Sequence, residues 1–271
     1  MAIPASDIQF AGSIPALYDE YLVPMIFEPY AAELAARVAA LAPSRVLETA
    51  AGTGVVTRAM ARALPAGAEL IATDLNQPML DRAAATGTPR PVHWQQADAM
   101  QLPFEDASFD VVVCQFGAMF FPDRAAAYAQ ARRVLRPGGV FLFDVWDRIE
   151  DNEFADVATQ ALAELFPSDP PRFLVRVPHG YHDRQVIERD LANAGFAANP
   201  GFETVAARSR AASAHAAAFA YCEGTPLRNE IEARSGSFAE ATAVCEAAIA
   251  RRFGTGPVDS KIQAHIVTAR R

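Results

Sequence analysis

Cysteine is scarce: Cys114, Cys222 and Cys245 are the only three, far apart and without a CxxC pair. That scarcity argues against a disulfide framework, a zinc site or an iron–sulfur cluster, so no metal is expected. Basic residues form no block, and the net charge is −8. A chain of this kind has nothing to track a phosphate backbone, and nucleic acid is not expected as a partner. No apolar run approaches the roughly 20 residues of a membrane span. Residues 1–10 carry Asp7 and no basic segment leading into a long apolar stretch, so they do not read as a secretion signal. A soluble, cytoplasmic protein is the expectation. Internal repeats and long linkers are also lacking.

What is present is apolar residue in quantity, 51% of 271 residues, enough to bury a substantial core. From about Ser44 onward short β-rich runs alternate with helical stretches, the pattern of a parallel sheet with crossover helices. Strands are expected at Ser44–Thr49, Leu70–Asp74, Val92–Ala97, Phe109–Gln115, Val140–Trp146, Phe202–Ala207 and Ile262–Ala269. The fold class is therefore α/β, a doubly wound and mostly parallel seven-stranded sheet with helical lid insertions. Asn76 with Pro78 is expected to cap one connecting helix. A second, Asp123–Arg136, would stop at Pro137-Gly138-Gly139, and a third, Asp183–Ala194, at Gly195. Thr225-Pro226 opens a helix, and Ser237 with Glu240 has the spacing of a capping box ahead of a helix ended by Gly254. The organisation expected is one domain over 1–271. Residues 1–42 would form an N-terminal helical lid, and 148–172 plus 210–256 helical insertions over an acceptor pocket. Lid helices and surface alanines would accommodate a homodimer.

Ligands of open α/β sheets bind beyond the carboxyl ends of the strands, and three acids cluster there. Glu48, Thr49, Ala50, Ala51, Gly52, Thr53 and Gly54 lead from the first strand into a helix, and small residues at such a turn let backbone approach a ligand. Position 57 is Thr57, so GxGxxG is incomplete, and Glu48 would repel a pyrophosphate. A cationic, phosphate-free ligand fits better, and S-adenosylmethionine, with a sulfonium and an ammonium, is one. Asp74 ends the second strand, where a carboxylate accepts bonds from ribose hydroxyls. Asp98 follows the third strand and suits the adenine amino group, with Ala99 and Met100 beside it.

These segments, together with Ser108-Phe109-Asp110-Val111-Val112 and Val134-Leu135-Arg136-Pro137-Gly138-Gly139, resemble the ordered motifs of class I S-adenosylmethionine-dependent methyltransferases. The resemblance spans about Tyr18 to Trp146 and is specifically to the branch of ubiquinone and menaquinone biosynthesis enzymes. It implies S-adenosyl-L-methionine as cofactor, with Glu48, Ala50 and Gly52 along the methionine portion and Asp74 with Leu75 on the ribose. Asp98 with Ala99 would meet the adenine, Met79 would pack near it, and Gln115 would touch the cofactor from the fourth strand. Tyr18 is implied at the methionine end. Members of the family usually carry glycine where this chain has Ala50, which implies a slightly altered turn.

For the acceptor the sequence offers less. Candidates for a catalytic base are His179, His182 and Tyr21, while Trp146 and Asp147, with Phe116, Phe120 and Phe121, would shape an apolar or aromatic pocket. His93 and His265 fall in strands and read as structural, and His215 has no assigned role. The fourth strand ends Cys114-Gln115-Phe116-Gly117, without the NPPY loop that holds a flipped base or amide, which disfavours methylation of adenine or glutamine nitrogen. A small-molecule acceptor, phenol or quinone-like, methylated on oxygen or carbon, is the leading reading. The alternatives are a cofactor-binding regulatory module without turnover and, against the charge of Glu48, a nicotinamide-dependent oxidoreductase.

Overall fold

Alternation of apolar side chains lays out the centre of the molecule. The computed structural model describes every residue except 1–3, 5, 6, 9, 11 and 235, so part of the expected N-terminal lid lies outside the described residues. Its strands are β1 (Arg45–Glu48), β2 (Glu69–Asp74), β3 (His93–Gln96), β4 (Phe109–Gln115), β5 (Leu135–Trp146), β6 (Gly201–Ala211) and β7 (Val258–Arg270). They form one seven-stranded sheet in the order β3-β2-β1-β4-β5-β7-β6. The first five run parallel, while β7 is antiparallel to both β5 and β6. Because successive side chains of a strand point to opposite faces, Val111, Val113, Val140 and Leu142 join one buried cluster and Val112, Cys114, Phe141 and Phe143 the other.

The helices cover both faces. In chain order they are α1 (Ile14–Leu17), α2 (Glu28–Ala40), α3 (Val55–Ala63), α4 (Gln77–Thr86), α5 (Arg124–Val134), α6 (Glu153–Leu165), α7 (Phe173–Arg176), α8 (Arg184–Asn193), α9 (Ala214–Glu223), α10 (Leu227–Ala233) and α11 (Phe238–Phe253). Between α1 and α2 the chain forms a π-helical segment, Tyr18–Phe27, with Pro24 inside it. Proline has no N–H and its ring clashes with the carbonyl four residues back, so the wider i→i+5 winding relieves what an α-turn would not tolerate.

Two expectations about punctuation are corrected. The helix expected over Asp123–Arg136 ends at Val134, and Pro137-Gly138-Gly139 lies inside β5. The glycine backbone finds ladder partners there: Gly138 N–H donates to the Arg271 carbonyl at 2.9 Å, and Arg271 N–H to that of Gly139 at 3.0 Å. Asn76 does not cap α4 with its side chain. Its Oδ1 instead accepts from Phe10 N–H at 3.3 Å and its Nδ2 donates to the Ile8 carbonyl at 3.3 Å, so it fastens the N-terminal segment to the sheet. At other helix starts Asp183 and Ser237 cap α8 and α11, accepting from Gln185 and Glu240 N–H, though the Glu240 side chain returns no bond to Ser237 N–H among the described residues, so the capping box is half formed; Thr225 Oγ1 accepts from Leu227 N–H at the start of α10.

Strand order reverses between β1 and β4, which places a crevice outside their carboxyl ends. The π segment, α7, α9 and the start of α10 border that crevice.

Candidate active site

The crevice is a cavity with two unlike halves. One is built on the turns after β1, β2 and β3. Among the residues expected to meet the cofactor, Tyr18, Ala50, Gly52, Asp74, Leu75, Met79, Asp98, Ala99, Met100 and Gln115 all line it. Asp74 is buried, and both its oxygens are engaged by backbone: Oδ2 accepts from Gly52 N–H at 2.8 Å and Oδ1 from Asn76 N–H at 2.8 Å. Burial raises its carboxyl above the usual range, while the N–H groups of Asn76 and Gly52 pull it back. Asp98 Oδ1 accepts from Met100 N–H at 2.8 Å, which shapes the loop after β3. Tyr18 stacks on Phe27 with centroids 4.9 Å apart, and burial, then the charge of Asp74, pushes its phenol well up.

The turn itself is strained where the sequence departs from glycine. Ala50 has φ +52° and Phe116, directly after β4, φ +48°. Non-glycine residues in this region cost roughly 1–2 kcal/mol each. Gly117 explains how Ala50 is accommodated: a Cβ there would lie 2.5 Å from Ala50 Cβ and 2.8 Å from Cys114 Sγ.

Glu48 and Gly54, expected beside the cofactor, lie behind the residues that line the cavity. Glu48 is buried, and its Oε2 accepts from the Thr57 hydroxyl at 2.5 Å. Burial drives its carboxyl up to about 8, so it serves the base of the turn as a largely protonated partner of α3. Gly54 has φ +81°, and a Cβ on it would meet Trp94 Cη2 at 2.8 Å. Its constraint is helix-to-strand packing.

The other half is apolar and aromatic. Phe116 stacks on Trp146 with centroids 3.8 Å apart and planes 4° from parallel, and Phe27, Phe120 and Phe173 complete much of the wall. Phe121 lines it as well. Phe116 is held by Asp144, whose Oδ1 accepts from Phe116 N–H at 2.8 Å while Oδ2 has no partner among the described residues. Burial holds the Asp144 carboxyl well above the ordinary range. Reasoning from sequence missed Asp144, Gly117, Phe27, Phe173 and Tyr221. A lone acid in the apolar run Phe141–Trp146 is a signal for the first, and a glycine just past a strand end for the second. The three aromatics carry no local signal.

Of the candidate bases, His179 alone lines the cavity. Its Nδ1 lies 2.8 Å from the Asp147 carbonyl oxygen, and burial lowers its pKa to about 4. His182 lies outside the wall with its Nδ1 2.8 Å from the His179 carbonyl. Tyr21 is also outside, its ring packed against Phe219 at 5.2 Å. Asp147 contributes through its carbonyl; its carboxylate accepts from Gln263 Nε2 at 2.7 Å and faces His265 Nε2 at 3.3 Å.

The residues present fit an S-adenosyl cofactor. Gln115 Nε2 donates to the Phe27 carbonyl at 3.2 Å, but its buried Oε1 has no partner among the described residues, which suits a cationic N–H. Gly52, at φ +56°, leaves backbone open opposite Met79 and Tyr18.

Comparison with known proteins agrees with this geometry. A family described as "Methyltransferase domain" matches residues 47–143. The chain is 30% identical over 166 residues to the ubiquinone/menaquinone biosynthesis C-methyltransferase UbiE of Teredinibacter turnerae, an alignment covering 56% of this chain and 67% of that one. It is 38% identical over 107 residues to a demethylmenaquinone methyltransferase of Deinococcus radiodurans, covering 39% of this chain and 44% of the relative. The crystal structure of a methyltransferase from Bacillus halodurans, described as putative in its own right, superposes with a TM-score of 0.56 at 22% identity, covering 88% of this chain and 97% of that one. At that identity the likeness shows the fold alone.

Proposed function

The chain belongs to the class I S-adenosylmethionine-dependent methyltransferases, and from that premise we propose that it methylates a small apolar or aromatic acceptor of phenol or quinone-like type, on oxygen or carbon. The observation that carries this reading is the second half of the cavity, an aromatic chamber walled by Phe116, Trp146 and Phe173 and continuous with the acid-tipped turns. Bound at those turns, S-adenosylmethionine supplies an electrophilic methyl group. Asp74 and Asp98 hold the nucleoside end, and Gln115 and Tyr18 receive the methionine end. The stacked Phe116 and Trp146 orient a flat acceptor and exclude water, and alignment of this kind is worth on the order of 7–11 kcal/mol in a displacement.

In this reading the chain is one domain, 1–271, on which segments 1–42, 148–172 and 210–256 act as a helical lid. Asp19 supports that role: it pairs with Arg82 at 2.8 Å and Arg58 at 3.5 Å, tying the π segment to α3 and α4. Among the described residues no helix is long and apolar enough to cross a membrane, and a cytoplasmic setting is part of the reading. The relatives' names favour a quinone-like acceptor. The test is incubation with S-adenosylmethionine and a panel of phenols, quinols and carboxylic acids, read by mass spectrometry for methylated product. Product from a phenol or quinol supports the proposal. Cofactor binding with no product from any acceptor would leave a cofactor-binding regulatory module.

A further inference from the structure

Three polar side chains on the acceptor side have their hydrogen-bonding states fixed by the fold. Asn152 spends its amide on the carbonyls of Asp147, Arg148 and Gln263 and its Oδ1 on Gln263 N–H. Thr225 donates to the Tyr221 carbonyl at 2.8 Å and accepts from Leu227. His179 is different, because only one of its nitrogens is used. A carbonyl oxygen only accepts, so the 2.8 Å contact with Asp147 requires the proton on Nδ1. The neutral ring then presents Nε2 as a bare lone pair. Nε2 makes no hydrogen bond among the described residues and is not sealed in protein, since it is absent from the buried unpartnered atoms while His179 borders the cavity. The Tyr221 hydroxyl is also open to the cavity, but it both donates and accepts and so discriminates less.

We propose that His179 Nε2 is the specificity-determining contact of the acceptor site and that it selects an acceptor presenting a hydroxyl donor, a phenol or quinol, over the corresponding ether, quinone or carboxylate. This rests on reading the aromatic chamber as the acceptor half. A carbonyl, ether or carboxylate oxygen brings only lone pairs to Nε2, and the backbone of Asp147 prevents the tautomer change that would make Nε2 a donor. Desolvation enlarges the difference, because a donorless ligand leaves Nε2 unpaired in an apolar wall. Burial also disfavours the imidazolium that would attract an anion.

The experiment titrates the protein, saturated with S-adenosylhomocysteine, with naphthol, its methyl ether and naphthoquinone, followed by calorimetry. The expected result is naphthol binding about tenfold or more tighter than the other two. That preference should shrink to about twofold or less in His179→Phe and be partly restored in His179→Gln, which keeps an acceptor oxygen. Nitrogen-15 spectra of histidine-labelled wild-type protein, independent of any variant, should show an unprotonated Nε2 for one buried histidine that shifts with naphthol alone. Equal affinities in the wild type, a preference unchanged in His179→Phe, or a protonated Nε2 would overturn the proposal. Failure here is separable from failure of the function: methylated product without a hydroxyl preference removes only the role of His179. A hydroxyl preference without methylated product removes the methyl transfer and leaves His179 as the selector.

Discussion

The two halves of the cavity are built in opposite ways. The half that fits the nucleoside comes from short stretches at three strand ends, 50–52, 74–79 and 97–100, where backbone N–H groups and carboxylates do most of the work. The acceptor half comes from residues far apart in sequence, among them Phe27, Phe116, Trp146, Phe173, His179 and Tyr221, and side-chain packing does the work. Strand-end turns of local geometry fit a common cofactor, whereas the aromatic half gathers side chains from the ends of β4 and β5, the π segment, α7, the loop after it and α9. That division is what a fold hosting many acceptors needs.

The comparison is sharpened first by pH, because Glu48, beneath the turn after β1, and His179, on the aromatic wall, are shifted in opposite senses. Glu48 is raised from 4.5 to about 8, so the native state holds its proton longer than the unfolded chain, and stability falls as pH climbs between those values. His179 is lowered from 6.5 to about 4, so the unfolded chain takes the proton first, and stability falls as pH drops from 6.5 towards 4. The two effects are on the order of 5 kcal/mol for Glu48 and 3 kcal/mol for His179. Chemical unfolding across pH should find that Glu48→Gln flattens the alkaline limb and His179→Gln the acid limb. Exchanged or absent effects would contradict the two environments.

Next in size is Gly117→Ala, which brings a methyl within 2.5 Å of Ala50 Cβ at the seam of the halves. Overpacking of this sort costs roughly 1–3 kcal/mol, and Ala50→Gly in the same chain should recover about 1 kcal/mol of it, read as coupling in a double-mutant cycle. Additive losses would mean the seam relaxes in some other way. The smallest effect is Ala50→Gly alone. Relief of the left-handed strain at φ +52° is opposed by the freedom that glycine gives the unfolded chain, so a gain of about 0.5 kcal/mol in unfolding free energy is expected.

How far sequence reached follows the same division. β4, Phe109–Gln115, is legible to the residue because a central strand buries both faces and reads as an unbroken apolar run. The turns with Gly52, Asp74 and Asp98 are legible because local chemistry dictates them. β5 is read short because Pro137-Gly138-Gly139 is also the signature of a helix stop, and only the pairing with Arg271 makes it strand. Sequence offers Tyr21 as a candidate base, but the π winding around Pro24 brings Tyr18, Leu22 and Ile26 to the cavity and turns Tyr21 to Phe219. The bond to Glu48 from Thr57, nine residues on, is not legible in the segment of Glu48 itself. His179 became informative only once the Asp147 carbonyl fixed its tautomer.

The most direct test of the divided cavity is calorimetric titration with S-adenosylhomocysteine of the wild-type protein, Asp74→Ala and His179→Phe, each checked for folding by thermal midpoint. The account predicts binding that weakens tenfold or more in Asp74→Ala, about 1.4 kcal/mol, and stays within about twofold in His179→Phe. No binding by the wild-type protein, or equal losses in the two variants, would contradict it.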